Sequence, residues 1–188
     1  MRNEASYYPE IQEHIEAQLR SNFLASNSRD LYVYWGIGEL KSNLKCIISE
    51  HPGICACAAK FAERVPPLSL DIFALITDGK KFELLILEVK LVKSAGLSEW
   101  SQLVGYCLVS GAKYGLLVNI DNGASLRLTQ MLTDERHISH IRTLVHNEPC
   151  VHMLGFMQWS GLTKNFEYSN LGTIKSLSEL SKRISSEF

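Results

Sequence analysis

The sequence predicts an α/β fold with a mixed central sheet flanked by helices, and three observations carry that prediction. Residues 70–90 read as two apolar strands joined by a tight turn at Asp78-Gly79-Lys80, and Asp-Gly between apolar runs is a strong hairpin signal. Residues 97–110 read as a helix leading into an apolar strand over 114–120. A helix that joins two strands of one sheet is a right-handed crossover, which makes those strands parallel. Helical stripes near both chain ends supply cover for the sheet: Ile11, Ile15, Leu19 and Phe23 in one, and Ile174, Leu177, Leu180 and Ile184 in the other.

In chain order, residues 8–23 form the first amphipathic helix, with Pro9 suited to its first turn. On its wheel Gln12 lies within the apolar stripe and Glu16 at its edge, whereas Glu10 and Glu13 point away. A polar turn over 26–29 leads to a strand over 31–35. Gly36-Ile37-Gly38 reads as a bend, because it lacks the third glycine and the Lys-Ser of a phosphate loop. A helix over 39–50 stops at His51-Pro52-Gly53. Cys55-Ala56-Cys57 has neither the Cys-x-x-Cys spacing nor the second cysteine pair of a zinc site, so it reads as two small buried residues in a segment running to Val65. Pro66-Pro67 marks the entry to the hairpin.

Residues 91–96 form a loop, and Ser98 is placed to cap the next helix, whose buried stripe is Trp100, Leu103, Val104, Cys107 and Leu108. Asp121-Asn122-Gly123 turns the chain after the 114–120 strand. Residues 125–132 fit either a strand or a helix, 151–159 read as a strand, 165–168 as a short polar piece, and 171–188 as a terminal helix capped by Thr173. His137, His140, His146 and Cys150 cluster loosely without partner acids, the pattern of surface histidines. No repeat or linker divides the chain, which fits one domain over 1–188, with a core at about 8–120 and a C-terminal strand region and helix over 125–188.

The formal net charge of -1 argues against a strong non-specific nucleic-acid binder, although a local basic rim can still supply phosphate contacts. The five cysteines are odd in number, and Cys107 falls inside an apolar helical run. Met1-Arg2-Asn3-Glu4 opens no signal peptide, and no apolar run is long enough to span a membrane. These features point to a cytoplasmic protein with free thiols.

The hairpin carries ionisable residues where an apolar strand should have none. Asp71 sits at the start of its first run, and Glu88 and Lys90 end the second. Residues i and i+2 of a strand share a face, so Glu88 and Lys90 project together while Val89 turns into the core. In a hairpin turning near Gly79, Asp71 falls beside Glu88. Two carboxylates and an ammonium at one end of a buried sheet are costly unless they meet one another or a metal. Glu39-Leu40-Lys41, with Asp30 upstream, repeats the Glu-x-Lys spacing but lacks the apolar strand, so Glu39 and Lys41 read as solvated helix-start residues.

Asp71, the hairpin, Glu88-Val89-Lys90 and then Gln102-Leu103-Val104-Gly105-Tyr106 resemble the PD-(D/E)xK nuclease superfamily, the restriction-endonuclease-like fold with its αβββαβ core. The Gln-xxx-Tyr spacing is similar to the branch that includes RecB-type nucleases. The resemblance covers about Leu68 to Ile120 and departs from the pattern in lacking Pro-Asp: Leu70 precedes Asp71, and Pro66 and Pro67 lie upstream. It implies that Asp71, Glu88 and the Val89 carbonyl hold Mg²⁺ or Mn²⁺, with Glu16 as the carboxylate from the first helix. It makes Lys90 the residue that orients the water and stabilises the transition state, with Gln102 and Tyr106 positioning the water or the scissile strand. Gln102 and Tyr106 are spaced i, i+4 and so share a helix face. Arg64, Lys93 and Lys113 are candidate phosphate contacts, chosen only for nearness in sequence to the site. The implied activity is metal-dependent hydrolysis of DNA by an endonuclease of restriction, repair or phage-defence type. The implied partners are DNA and, by analogy, a homodimer or larger nuclease complex, with no membrane. The alternatives are a nuclease fold serving as a binding or assembly subunit, and a nuclease acting on RNA.

Overall fold

The computed structural model describes residues 3–26, 30–145 and 147–188. Residues 27–29 of the expected polar turn, and His146 of the histidine cluster, lie outside the described residues. Helix α1 (Tyr8–Ser26) leads into strand β1 (Tyr32–Glu39), helices α2 (Leu40–Glu50) and α3 (Ala56–Arg64), and the hairpin β2 (Ser69–Thr77) and β3 (Phe82–Lys90). Helix α4 (Leu97–Ser110), strand β4 (Tyr114–Ile120) and helix α5 (Leu126–Asp134) follow. Strands β5 (His140–Val145), β6 (Glu148–Ser160) and β7 (Asn165–Gly172) and helix α6 (Leu177–Glu187) complete the chain.

The result is an α/β architecture with a mixed sheet flanked by helices. Its strand order is β1-β2-β3-β4-β6-β5, with β7 also paired to β6. The β1, β2 and β3 neighbours are antiparallel, whereas β3, β4 and β6 run parallel through the α4 and α5 crossovers. Apolar residues of alternating parity face opposite sides of the sheet. Leu85, Leu87, Val89, Leu116 and Val118 pack under α1 and α6. Phe73, Leu75, Leu84, Ile86 and Leu117 pack under α2, α3, α4 and α5. Gly115 lets α4 lie close to the sheet, because a Cβ there would press on the Cys107 sulfur and on Leu154.

The hairpin forms for the expected reason. Asp78 Oδ1 accepts the Lys80 and Lys81 N–H groups at 2.8 and 2.9 Å, and Gly79 takes φ +86°. Several expectations need correction. The Gly36–Gly38 bend is a bulge inside β1, with Gly38 at φ +87° absorbing the extra residue. Residues 125–132 resolve as helix α5, capped by Ser125 Oγ on the Leu128 N–H. Glu99 closes the start of α4 by accepting the Gly96 N–H at 2.7 Å, so Ser98 is not its cap. The terminal helix begins at Leu177 with Ser176 as its cap, so Thr173 and Ile174 lie in the connection before it. Strand β5 was not foreseen. Cys55 and Cys57 form a disulfide, which overturns the expectation of free thiols at that pair, while Cys46, Cys107 and Cys150 are free. Among the described residues, no helix is long and apolar enough to cross a membrane.

Candidate active site

The β2–β3 ladder runs from Thr77↔Phe82 to Ile72↔Leu87 and stops there. Beyond it the Asp71 carboxylate replaces the missing backbone partner: its Oδ2 accepts the Val89 N–H at 3.0 Å. The same oxygen accepts from Lys90 Nζ at 3.1 Å. Lys90 Nζ also lies 2.5 Å from Glu88 Oε1. The sheet therefore opens into a fork in which one ammonium sits between two carboxylates. Glu88 and Lys90 share a face as strand alternation requires, and that face is the one covered by α4, since Leu84 and Ile86 point the same way.

Glu88 is fully buried. Its Oε1 is held by the Lys90 ammonium, and among the described residues its Oε2 has no partner. Burial pushes its pKa up to about 7; Lys90 opposes that shift, and the charges of Asp71 and Glu4 add to it. Burial alone would lower the Lys90 pKa, but Glu88 and Asp71 outweigh it and hold the ammonium above its ordinary range. Lys90 is a fixed cation here, not a free base.

Two residues that sequence reasoning missed complete the surround. Glu4 Oε2 accepts the Leu91 N–H at 3.1 Å, and Glu4 Oε1 accepts from the Tyr8 hydroxyl at 3.2 Å. Tyr8 is raised by burial and then by the charges of Asp71 and Glu4, so its hydroxyl stays protonated beside the acids. Asn119, level with Lys90 in the β3–β4 ladder, is buried in an otherwise apolar strand. Its side chain accepts the Val92 N–H and donates to the Val92 and Gly123 carbonyls, which fixes the loop that follows Lys90. A polar residue in a fully buried strand was the available signal for it. Glu4 precedes the periodic part of the first helix and offered none.

Other expected site residues fall elsewhere. Glu16 does not join the fork: Trp35 Nε1 donates to its Oε2 at 2.9 Å, and Arg20 pairs with its Oε1 at 2.8 Å. Gln102 Nε2 donates to the Tyr106 hydroxyl at 2.9 Å, so the shared helix face is real, but neither side chain bonds to Asp71, Glu88 or Lys90. Lys113 is not a free phosphate contact, since Glu83 and Glu187 hold it at 2.7 and 2.9 Å. Glu39 is the cap of α2, accepting the Lys41 and Ser42 N–H groups, and Lys41 Nζ donates to the Glu63 carbonyl. His137 pairs with Glu135, away from Cys150, whose thiol faces the Gly111 carbonyl.

Among the described residues, no three His, Cys, Asp or Glu side chains are gathered to hold a metal. The fork itself offers Asp71 and Glu88, with the buried Glu88 Oε2 lacking a partner among the described residues. That donor chemistry, hard and anionic, fits a divalent cation that takes its remaining ligands from backbone carbonyls and water. No protein-family model, curated protein or solved structure matches the chain.

Proposed function

We propose that the chain is a metal-dependent phosphodiesterase with a restriction-endonuclease-like core, acting as a DNA endonuclease of restriction, repair or phage-defence type. The observation that carries this reading is Glu88: a fully buried carboxylate whose Oε1 is held only by the Lys90 ammonium and whose Oε2 has no partner among the described residues, beside Asp71 where two strands part. A purely structural ion pair gains nothing from leaving a buried carboxylate under-satisfied. The resemblance of residues 68–120 adds to it.

In this reading Asp71, Glu88 and the Val89 carbonyl would hold Mg²⁺ or Mn²⁺, which when bound would neutralise charge on the phosphate and make a water more acidic. Lys90, held protonated by its two acids, turns from Glu88 toward the phosphate and stabilises the negative charge that develops there. Asp71 holds the Val89 amide and so fixes the path of the strand that carries Glu88 and Lys90. Glu4 anchors the next amide, at Leu91, and Asn119 keeps the following loop from collapsing over the fork. Gln102 and Tyr106, joined on the α4 face, position the scissile strand or the water.

The test is cleavage of supercoiled plasmid, linear duplex and single strand with Mg²⁺ or Mn²⁺, comparing the native chain with Lys90→Ala and Asp71→Asn. Cutting that needs metal and disappears in both variants supports the reading, and RNA run in parallel decides the sugar. Cutting that survives both substitutions refutes it. A second reading, a binding or assembly module without activity, is favoured by one observation: Lys90 already lies within ion-pair distance of both carboxylates. It requires that no divalent metal bind and that Lys90→Ala leave the biological role intact.

A further inference from the structure

The sheet has a second fork, at its other end and opposite edge. Strand β6 is long enough for β5 and β7 to share one of its edges: β5 pairs with residues 148–153, and β7 with 155–160. The two part at Leu154, whose N–H donates to the Ser139 carbonyl while its own carbonyl accepts the Thr173 N–H, both at 2.8 Å. Ser139 Oγ and Thr173 Oγ1 meet at 3.0 Å across the gap. Gly155 is bare there because a Cβ would collide with the Ile174 carbonyl. These backbone and hydroxyl hydrogen bonds close the floor of the gap. Above it lies a groove of about 950 Å³.

Four cations from separate segments line the groove: Arg136 before β5, Arg142 on β5, Lys175 after β7 and Arg183 on α6. Among the described lining residues Glu179 is the only acid; Arg183 pairs with it at 2.7 Å, and it also accepts the Lys175 N–H at 3.0 Å. Arg136, Arg142 and Lys175 are exposed and form no ion pair among the described residues. A chain of net charge -1 thus concentrates unpaired positive charge over one concave surface. Ladder registers set His140 level with Tyr114 and Lys90 level with Asn119. With three strand spacings between β3 and β5, the groove lies roughly 20 Å from Lys90. It is separate from the acidic fork.

We propose that this groove is a binding site for a ligand carrying two or more adjacent phosphate groups, held by Arg136, Arg142 and Lys175 over the Ser139–Thr173 floor. Unpaired guanidinium groups match phosphate oxygens in pairs, and the volume exceeds what a single phosphate fills. Adjacent phosphates occur in free polyphosphorylated molecules and in the backbone of a nucleic acid, so the test carries one probe for each.

Inorganic tripolyphosphate and a short single-stranded oligonucleotide are titrated, without divalent metal, into the full chain, the double variant Arg136→Ala/Arg142→Ala, Lys175→Ala and Asp71→Asn. The native chain and Asp71→Asn should bind at least one probe alike, with affinity that falls as salt rises. The double variant should weaken binding about tenfold or more, and Lys175→Ala severalfold. Binding of tripolyphosphate identifies a free phosphorylated ligand, and binding of the oligonucleotide alone identifies a nucleic-acid backbone. No binding of either probe at millimolar concentration, or binding that the three substitutions leave unchanged, overturns the proposal. The Arg136, Arg142 and Lys175 side chains are exposed, so unchanged thermal melting is expected of their variants and serves as the folding control. The outcome is independent of whether the acidic fork cleaves anything.

Discussion

Replacing Glu88 by Gln isolates the charge of the buried carboxylate, because the amide keeps its volume and one acceptor oxygen for Lys90. Glu88 is 0% exposed, and burial moves its pKa from 4.5 to about 7. Between those two values the folded chain holds a proton that the unfolded chain has released. Stability therefore falls as pH rises across that window and levels off above it. The displacement corresponds to roughly 3 kcal/mol against the charged form. Glu88→Gln removes this dependence, so without metal the variant should gain on the native chain by ~2–3 kcal/mol between pH 5 and pH 8. Urea unfolding of both chains in a chelator at the two pH values measures it. Adding Mg²⁺ at pH 8 should then raise native stability and leave the variant unmoved. Parallel native and variant curves from pH 5 to pH 8 would refute the claim that Glu88 is held out of water and under-satisfied.

Lys90→Ala leaves Glu88 beside Asp71 without its cation. At pH 8 it should cost about 3 kcal/mol in a metal-free melt and reduce plasmid cutting ~100-fold or more. Because Trp35 and Arg20 engage Glu16, Glu16→Gln should leave Mn²⁺ affinity and cleavage unchanged. Glu4→Gln, which disturbs the supports of Leu91 and Tyr8, should weaken Mn²⁺ affinity about tenfold by calorimetry. Asn119→Ala removes two bonds to Val92 in the 91–96 loop and one to Gly123 and should cost about 2–3 kcal/mol, with faster amide exchange at Val92 as its local signature.

The hairpin was legible because its turn chemistry is local: Asp78 and Gly79 act within four residues of each other. Glu88 and Lys90 were legible as a pair for the same kind of reason, a period of two along one strand. Asp71 followed from hairpin register. Glu16 misled because a helical wheel gives a face and not a depth. It lies eight residues beyond Tyr8, about 12 Å further along the axis, beside Trp35, which pairs with Ala74 in the middle of the sheet and not at its forked end. Glu4 has no neighbour in sequence that marks it; its role comes from a contact with Leu91, eighty-seven residues away. Strand β5 escaped because its residues are half-buried or exposed throughout, so it lacks an apolar face to read. The cationic groove was hidden more deeply, since its charges come from four segments that only the fork in the sheet edge brings together.

The central claim is that Asp71 and Glu88 form a divalent-metal site serving Lys90. Mn²⁺ titration followed by electron paramagnetic resonance at pH 8 tests it most directly, with the native chain, Asp71→Asn, Glu88→Gln and Glu16→Gln side by side. Stoichiometric binding in the native chain and in Glu16→Gln, lost in Asp71→Asn and in Glu88→Gln and weakening as pH falls through about 7, is the predicted result. Mn²⁺ that fails to bind the native chain, or binds all four alike, would contradict it and leave the fork as a structural ion cluster.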